Sequence, residues 1–423
     1  MSRVVVTGMG LIAALGADLP TVWRRLVAGE SGIGPITYFD ATEYGCRVAA
    51  EVRTPPIHDT GLDAIALEDC RRGVRLFLAA SREAWADAGL AGARIDASRA
   101  GVSAGTSVNY VNMALIRQHH RHRRADVPAL DLPRFVDQGG PQPAFHFARR
   151  LGEMTATVPA RSLGLQGPTL AIDTACAASA HAIGEAYRLV ARGRADVMLA
   201  GGAASLVSPV GIVAFSILGA LSRNPDACSA SRPFDRRRDG FVMGEAGGVI
   251  VLERRDHALA RGARVYGEVV GYGATLSANN LTDPSPSGEA EARAMELALR
   301  ESGLAPEEVG YIAAHGTSTP KNDATETAAI KRVYGAHARR LAVSSCKGQL
   351  GHTISAAGVC NVICALKAVS DGYVPPTANY TERDPDCDLD YVPNVGRPAQ
   401  VRAAMAHAFA FGGQNAVLAV KAA

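Results

Sequence analysis

Apolar and polar residues fall along this chain in two recurring patterns. Short apolar runs, Gly101-Val-Ser-Ala-Gly105, Val197-Met-Leu-Ala-Gly-Gly202 and Gly247-Gly-Val-Ile-Val-Leu252, read as buried strands, and Arg3-Val-Val-Val-Thr7 starts the chain on another. Between them lie stretches of helical period, from Ala66 through Ala88 and from Ala177 through Arg192. Strands alternating with helices are the mark of parallel α/β units. A division near Glu253 gives an N-terminal half, residues 1–253, and a C-terminal half, residues 254–423. No low-complexity linker separates them, so the halves should share an extensive interface.

Composition fits a large enzyme with filled cores, since the 423 residues are 48% hydrophobic and only 20% charged. Aromatics are scarce while Gly and Ala abound, so backbones should pack closely. No basic and apolar leader precedes the first strand, and no uninterrupted apolar run reaches membrane-spanning length. A cytoplasmic protein without membrane contact is expected. Eight cysteines are scattered without paired metal spacing, and no second pair completes a zinc set around Cys360 and Cys364. Reduced thiols, and no metal or other cofactor, follow as expectations. A net charge of +3 is too small to argue for nucleic acid, so local clusters matter more. Arg71, Arg72 and Arg75 on one helix, the triplet Arg236-Arg-Arg238, and His119-His-Arg-His-Arg-Arg124 are solvated faces or a docking surface for an acidic protein.

The candidate chemistry begins at Cys176, in Asp173-Thr-Ala-Cys-Ala-Ala-Ser179, where the apolar run Thr169-Leu-Ala-Ile172 meets a helix. A cysteine on such a turn meets backbone N–H groups and a helix dipole that favour the thiolate, which suits a nucleophile. Two histidines follow strand ends: His315 in His315-Gly-Thr-Ser-Thr-Pro320 after Val309–Ala314, and His352 in Lys347-Gly-Gln-Leu-Gly-His352 after Leu341–Cys346. Phe409-Ala-Phe-Gly-Gly413 lies near the C-terminus.

These four motifs, in this order and at these separations, resemble the Cys-His-His β-ketoacyl-[acyl carrier protein] synthases of the thiolase superfamily. The likeness covers nearly the whole chain, through Ser231-Arg-Pro-Phe-Asp235, Arg238-Asp-Gly-Phe-Val-Met-Gly-Glu245 and Cys387-Asp-Leu-Asp-Tyr-Val-Pro393. It implies an α/β thiolase-like fold whose two similar halves stack into five α-β-α-β-α layers. It also implies that Cys176 accepts an acyl group, that His315 and His352 donate to the enolate formed by malonyl decarboxylation, and that Lys347 supports them. By resemblance the N–H groups of Cys176 and Phe411 form the oxyanion hole, and Phe411 gates the site. Substrate contacts are expected from Val108, Thr282, Thr317, Thr319, Phe409, Gly412 and Gly413. The implied partner is an acyl carrier protein with phosphopantetheine-linked groups, and the implied assembly is a homodimer or a heterodimer with a chain-length-factor paralogue.

The chain departs from the family pattern in several places. Asn361 stands where relatives carry a buried glutamate beside the lysine, so another acid should compensate; Asp323 and Glu326 are among the candidates, although structural hydrogen bonds are the favoured reading of both, and Asn361→Glu should be tolerated. Ala410 replaces a glycine between the two phenylalanines and should stiffen the gate, and Gln414 follows the double glycine. The segment from about Tyr110 to Phe147 is as long as that of aromatic-polyketide ketosynthases. That segment, with Lys321-Asn-Asp323, Glu326-Thr-Ala-Ala-Ile-Lys331 and Pro376-Thr-Ala-Asn379, leans towards a type II polyketide or related secondary-metabolite pathway, with fatty-acid chain elongation as the alternative. A non-catalytic chain-length subunit is disfavoured by Cys176, and a degradative thiolase by the lack of a second cysteine near the C-terminus.

Overall fold

The computed structural model describes residues 2–53, 59, 61–62, 70–107, 120–124, 126, 131, 133–134 and 151–423. Ten strands build its centre: β1 (Val4–Ala13), β2 (Ala100–Gly105), β3 (Thr169–Ile172), β4 (Val197–Ala204), β5 (Ala246–Arg254), β6 (Gly267–Leu276), β7 (Val309–Ala313), β8 (Ala342–Ser344), β9 (Ala403–Phe409) and β10 (Gln414–Lys421). Their spatial order is β8-β7-β9-β10-β6-β1-β5-β4-β2-β3. Between β6 and β1 the ladder divides into two sets of five, each ordered third, second, fourth, fifth, first. The pairing repeats as well: the second strand lies parallel to the third and fourth, while the fifth is antiparallel to the fourth and first. The duplication too faint to see in the sequence is thus explicit in the topology. The two mixed sheets meet edge to edge, where Val4, Val5 and Val6 pair antiparallel with Val269, Glu268 and Gly267.

Helices α1 (Arg72–Asp87), α2 (Ala178–Ala191), α3 (Pro209–Ile217), α4 (Glu289–Ser302), α5 (Pro320–Tyr334) and α6 (Ala357–Asp371) supply the remaining layers. The apolar faces of α2 and α6 pack on each other and on strands of both sheets, forming the middle layer; α1 covers one outer face, and α4 with α5 the other. The result is the α-β-α-β-α stack. Every residue of β1 and β4 is buried, as their uninterrupted apolar character requires of strands covered on both faces. Close approach of backbones needs glycine: a Cβ at Gly105 would lie 2.4 Å from the Ser179 nitrogen, so β2 sets the position of the start of α2.

One expectation changes. The helix foreseen from Ala66 starts at Arg72, because Arg71 has an extended ψ of 149°; residues 63–69 lie outside the described set. The run Thr169–Ile172 forms the edge of the ladder, with Leu170 37% exposed. Ile354–Asp371 is, by length and composition, long and apolar enough to cross a membrane, yet 78% of it is buried within the protein, where α6 forms the middle layer.

Candidate active site

β3 delivers the chain to Cys176. The backbone turns at Ala175, whose φ of 47° is left-handed for a residue with a Cβ, and passes through the 3-10 turn Ala175–Ala177 into α2. Such a conformation persists only where the surroundings hold it. Here the Asp173 carboxylate accepts the Ala175 N–H at 3.4 Å and the Thr174 carbonyl accepts the Ala177 N–H at 3.0 Å. Cys176 lines a cavity of about 300 Å³ and is 5% exposed. Burial pushes its thiol up to about 11, outweighing the Lys347 charge and the N–H groups of Phe411 and Cys176 that act in the other direction. Burial thus opposes the thiolate that the turn and the helix dipole favour.

His315 follows β7, and His352 follows the short helix Lys347–Leu350. Their rings stand edge to face with centroids 5.4 Å apart, and both line the cavity with Cys176. His352 Nδ1 accepts the Ile354 N–H at 3.2 Å, which leaves the proton of the neutral ring on Nε2. Burial, then the Lys347 charge, holds both imidazoles well below the usual histidine range. Each histidine is thus a neutral N–H donor at physiological pH. His315 Nδ1 is buried without a hydrogen-bond partner among the described residues.

The loop carrying His315 is gripped by two carboxylates from α5. Glu326 accepts the N–H groups of His315 and Gly316 at 2.8 and 2.7 Å and pairs with His407 Nδ1 at 2.9 Å. Asp323 accepts from the backbone of Phe234, Thr317 and Ser318 at 2.8, 2.9 and 3.1 Å. Neither forms an ion pair with Lys347, so the expectation of a replacement acid in contact with that lysine is corrected. Lys347 is buried and its Nζ donates to the His315 carbonyl. Asn361 serves a separate purpose: its Nδ2 donates to the carbonyls of Ala314 and His407 at 2.9 and 2.8 Å, tying the ends of β7 and β9 to α6.

The segment Phe409–Gly413 closes the cavity from the other side. Phe409 lies 5.8 Å from the His315 ring, and Phe411 stacks on Phe215 of α3 at 6.5 Å. Gly412 N–H donates to the Leu281 carbonyl at 2.6 Å, and the Gly413 carbonyl accepts the Ser277 N–H at 2.8 Å. Gly413 has φ 77°, and a Cβ there would lie 2.1 Å from the Ser277 oxygen. Ala410 falls outside the left-handed region and packs on two core clusters, so its Cβ is unstrained here. Thr317 and Thr319 share a hydrogen bond of 2.8 Å between hydroxyls, and both line the cavity with Thr282.

Of the residues expected at the site, Cys176, His315, His352, Thr282, Thr317, Thr319, Phe409, Phe411 and Gly413 surround one cavity; Lys347, which is buried, and Gly412, which is exposed, do not line it. Val108 lies outside the described residues, as does most of the segment 110–147. Sequence reasoning missed Ser277, Glu291, Asn415 and Phe241, which line the same cavity and belong to no catalytic pattern. Part of the basic surface dissolves: Arg238 is buried between Asp384 and Asp323, and Arg72 bonds the buried Glu245 at 3.0 Å.

A duplicated α/β fold that places one cysteine and two histidines on a shared cavity defines a thiolase-like enzyme. Within that class the chain belongs to the β-ketoacyl synthase family: residues 1–258 match its N-terminal domain and residues 266–381 its C-terminal domain. It is 41% identical to the 3-oxoacyl-[acyl-carrier-protein] synthase 2 of Synechocystis, over 99% of this chain and 98% of that one. Identity to the protein of the same name from Coxiella burnetii is 38%, over 98% and 97%. Among solved structures, the ishigamide ketosynthase/chain length factor superposes with a TM-score of 0.87 at 35% identity, covering 100% and 99% of the chains. A type II polyketide ketosynthase in complex with its acyl-carrier protein superposes at 0.85 and 31%, covering both chains fully.

Proposed function

We propose that this protein is a β-ketoacyl-[acyl carrier protein] synthase of the fatty-acid elongation type. The observation that carries the reading is the convergence of Cys176, His315 and His352 on one cavity, with both imidazoles neutral. The Cys176 sulfur attacks the thioester carbonyl of an acyl chain borne by a carrier protein, and its proton leaves with the departing pantetheine thiol. A carbon–sulfur bond forms on the enzyme as one breaks on the carrier. Malonyl thioester then loses carbon dioxide, and the enolate oxygen takes hydrogen bonds from the two histidines. The enolate carbon attacks the acyl carbonyl, a carbon–carbon bond forms as the carbon–sulfur bond to Cys176 breaks, and the thiolate released takes a proton from water to restore the thiol. N–H groups of Phe411 and Cys176, which already point at the sulfur, act on the oxyanion of the acyl-transfer steps.

The elongation reading replaces the polyketide leaning of the sequence. The relatives named 3-oxoacyl-[acyl-carrier-protein] synthase 2 stand at 41% and 38% identity, against 35% and 31% for the polyketide enzymes. Most of the segment 110–147 that prompted that leaning lies outside the described set. Residues 1–253 carry the nucleophile and 254–423 both histidines, so the site lies where the two halves meet. A dimer is proposed across the exposed edge of β3, whose outer backbone groups lack a partner strand among the described residues. The partner is an acyl carrier protein, as in the ketosynthase complex whose fold this chain shares.

Intact-protein mass spectrometry after incubation with an acyl-[acyl carrier protein] tests the assignment. Wild type should gain the mass of the acyl group, and Cys176→Ala should not. A stable adduct on the variant refutes it.

A further inference from the structure

The same cavity contains a polar corner that acyl transfer at Cys176 does not use. Glu291, in the first turn of α4, is 2% exposed, yet its Oε2 is buried without a hydrogen-bond partner among the described residues. Ser277, at the end of β6, is 5% exposed and its Oγ is likewise unpartnered. Both line the cavity with Asn415. The backbone beneath is fixed, because Thr275 Oγ donates to the Ala290 carbonyl at 2.7 Å and the Gly288 amide bonds the Ser285 carbonyl at 2.9 Å.

Buried oxygens left unpaired cost free energy, and a cavity wall that keeps two of them is complementary to a ligand that supplies the missing bonds. The chemistry of that ligand follows from the charges nearby. No cation pairs with Glu291 among the described residues; burial raises its carboxyl above the usual range, and the Glu326 charge acts in the same direction. A second anion is disfavoured beside the Glu291 carboxyl, which with the Ser277 hydroxyl offers hydrogen-bonding partners to a neutral polar group.

Resting on the ketosynthase reading, we infer that Glu291 and Ser277 form a specificity subsite for a neutral hydrogen-bonding group of the thioester substrate. A hydroxyl on the acyl chain and an amide of the pantetheine arm share this chemistry. In either case the subsite rewards a substrate that brings a polar group to these unpartnered oxygens, and its preference is set by residues outside the Cys-His-His set.

The test measures kcat/KM for transfer to Cys176 in wild type, Glu291→Leu and Glu291→Gln. Substrates are a plain and a hydroxylated acyl group of equal length, each on pantetheine and on a truncated thiol lacking the distal amide. One buried hydrogen bond corresponds to roughly a tenfold ratio. Glu291→Leu should lower the hydroxylated-to-plain ratio about tenfold if the acyl hydroxyl is the group bound, or the pantetheine-to-truncated ratio if the amide is. Glu291→Gln, which keeps a hydrogen-bonding side chain of the same length at the site, should restore most of the affected ratio. Both ratios matching wild type in an acylated Glu291→Leu protein would overturn the inference alone. Should Glu291→Leu not fold, Ser277→Ala takes its place and must shift one of the two ratios, or the inference fails. Wild type that takes no acyl group overturns the ketosynthase reading and this inference with it.

Discussion

The ammonium of Lys347 donates to the carbonyl of His315, while on the other side of the same residue Glu326 accepts the His315 N–H at 2.8 Å. The histidine is held at both ends of its main chain by opposite charges that do not touch. This arrangement lets a buried lysine exist without a carboxylate contact: its charge meets an oriented carbonyl, and the nearest acid polarises that residue from behind.

Asn361 therefore has no vacancy to fill. Its Nδ2 bonds two carbonyl oxygens, at 2.9 and 2.8 Å, and is 1% exposed as a residue. Asn361→Glu replaces a double donor by an acceptor facing those oxygens. The sequence alone suggested tolerance; the structure predicts destabilisation by about 3 kcal/mol or more, the scale of an uncompensated buried charge. Thermal unfolding should show a midpoint several degrees lower, with loss of acyl transfer. An unchanged midpoint would mean that the new carboxylate reaches Lys347.

The histidine roles can be separated kinetically. Replacing His315 or His352 by Ala removes one N–H donor to the enolate and should depress malonyl decarboxylation by something on the order of 10² to 10³. Acylation of Cys176 should survive better, because the oxyanion of that step is served by the backbone of Phe411 and Cys176. Stopped assays with malonyl-carrier protein on the acyl-enzyme give the first rate, and mass spectrometry gives the second. Normal decarboxylation in either variant would make that histidine structural.

The fold and the reacting groups were legible because they rest on local signals: uninterrupted apolar runs for buried strands, and Gly-rich loops around Cys176, His315 and His352. What escaped depends on long-range placement. The edge position of β3 was invisible because Thr169–Ile172 has the composition of an interior strand, and only its pairing with β2 alone reveals the edge. The upward push on the Cys176 thiol was not legible because turn and dipole are local signals, whereas the burial that outweighs them depends on the assembled cavity. Asp323 and Glu326 were recognised as acids, but their task of holding the His315 loop follows from helix α5 folding back on it. Glu291 and Ser277 belong to no motif, and only the cavity brings them together.

Ala410 offers a test of the gate. Its Cβ packs against core clusters on both sides, which favours the closed segment and denies it the left-handed conformations a glycine would visit. Ala410→Gly should lower stability by roughly 0.5–1 kcal/mol through backbone entropy. Pre-steady-state acylation should be faster in the variant if loop opening limits the rate. Equal burst rates would place the limiting step elsewhere.

Stability should also depend on pH through the buried histidines. His181, hydrogen-bonded from Nδ1 to the Tyr272 hydroxyl at 2.6 Å, has its pKa lowered by burial to about 4. The sign follows from linkage. A histidine depressed in the folded state is neutral in both states above about pH 6.5, but between there and 4 the unfolded chain takes up a proton that the folded one refuses. The stability it contributes is complete above about pH 6.5 and lost as pH falls, by roughly 3 kcal/mol at the lower limit. His315 and His352, also depressed, act with the same sign. Glu83, pushed up to about 7 by burial, acts oppositely, so the total slope is a balance. A difference experiment isolates the histidine: the midpoint gap between wild type and His181→Asn should shrink steadily from pH 6.5 to pH 4.5. A gap independent of pH across that window would mean that His181 is as readily protonated in the folded protein as in the unfolded chain.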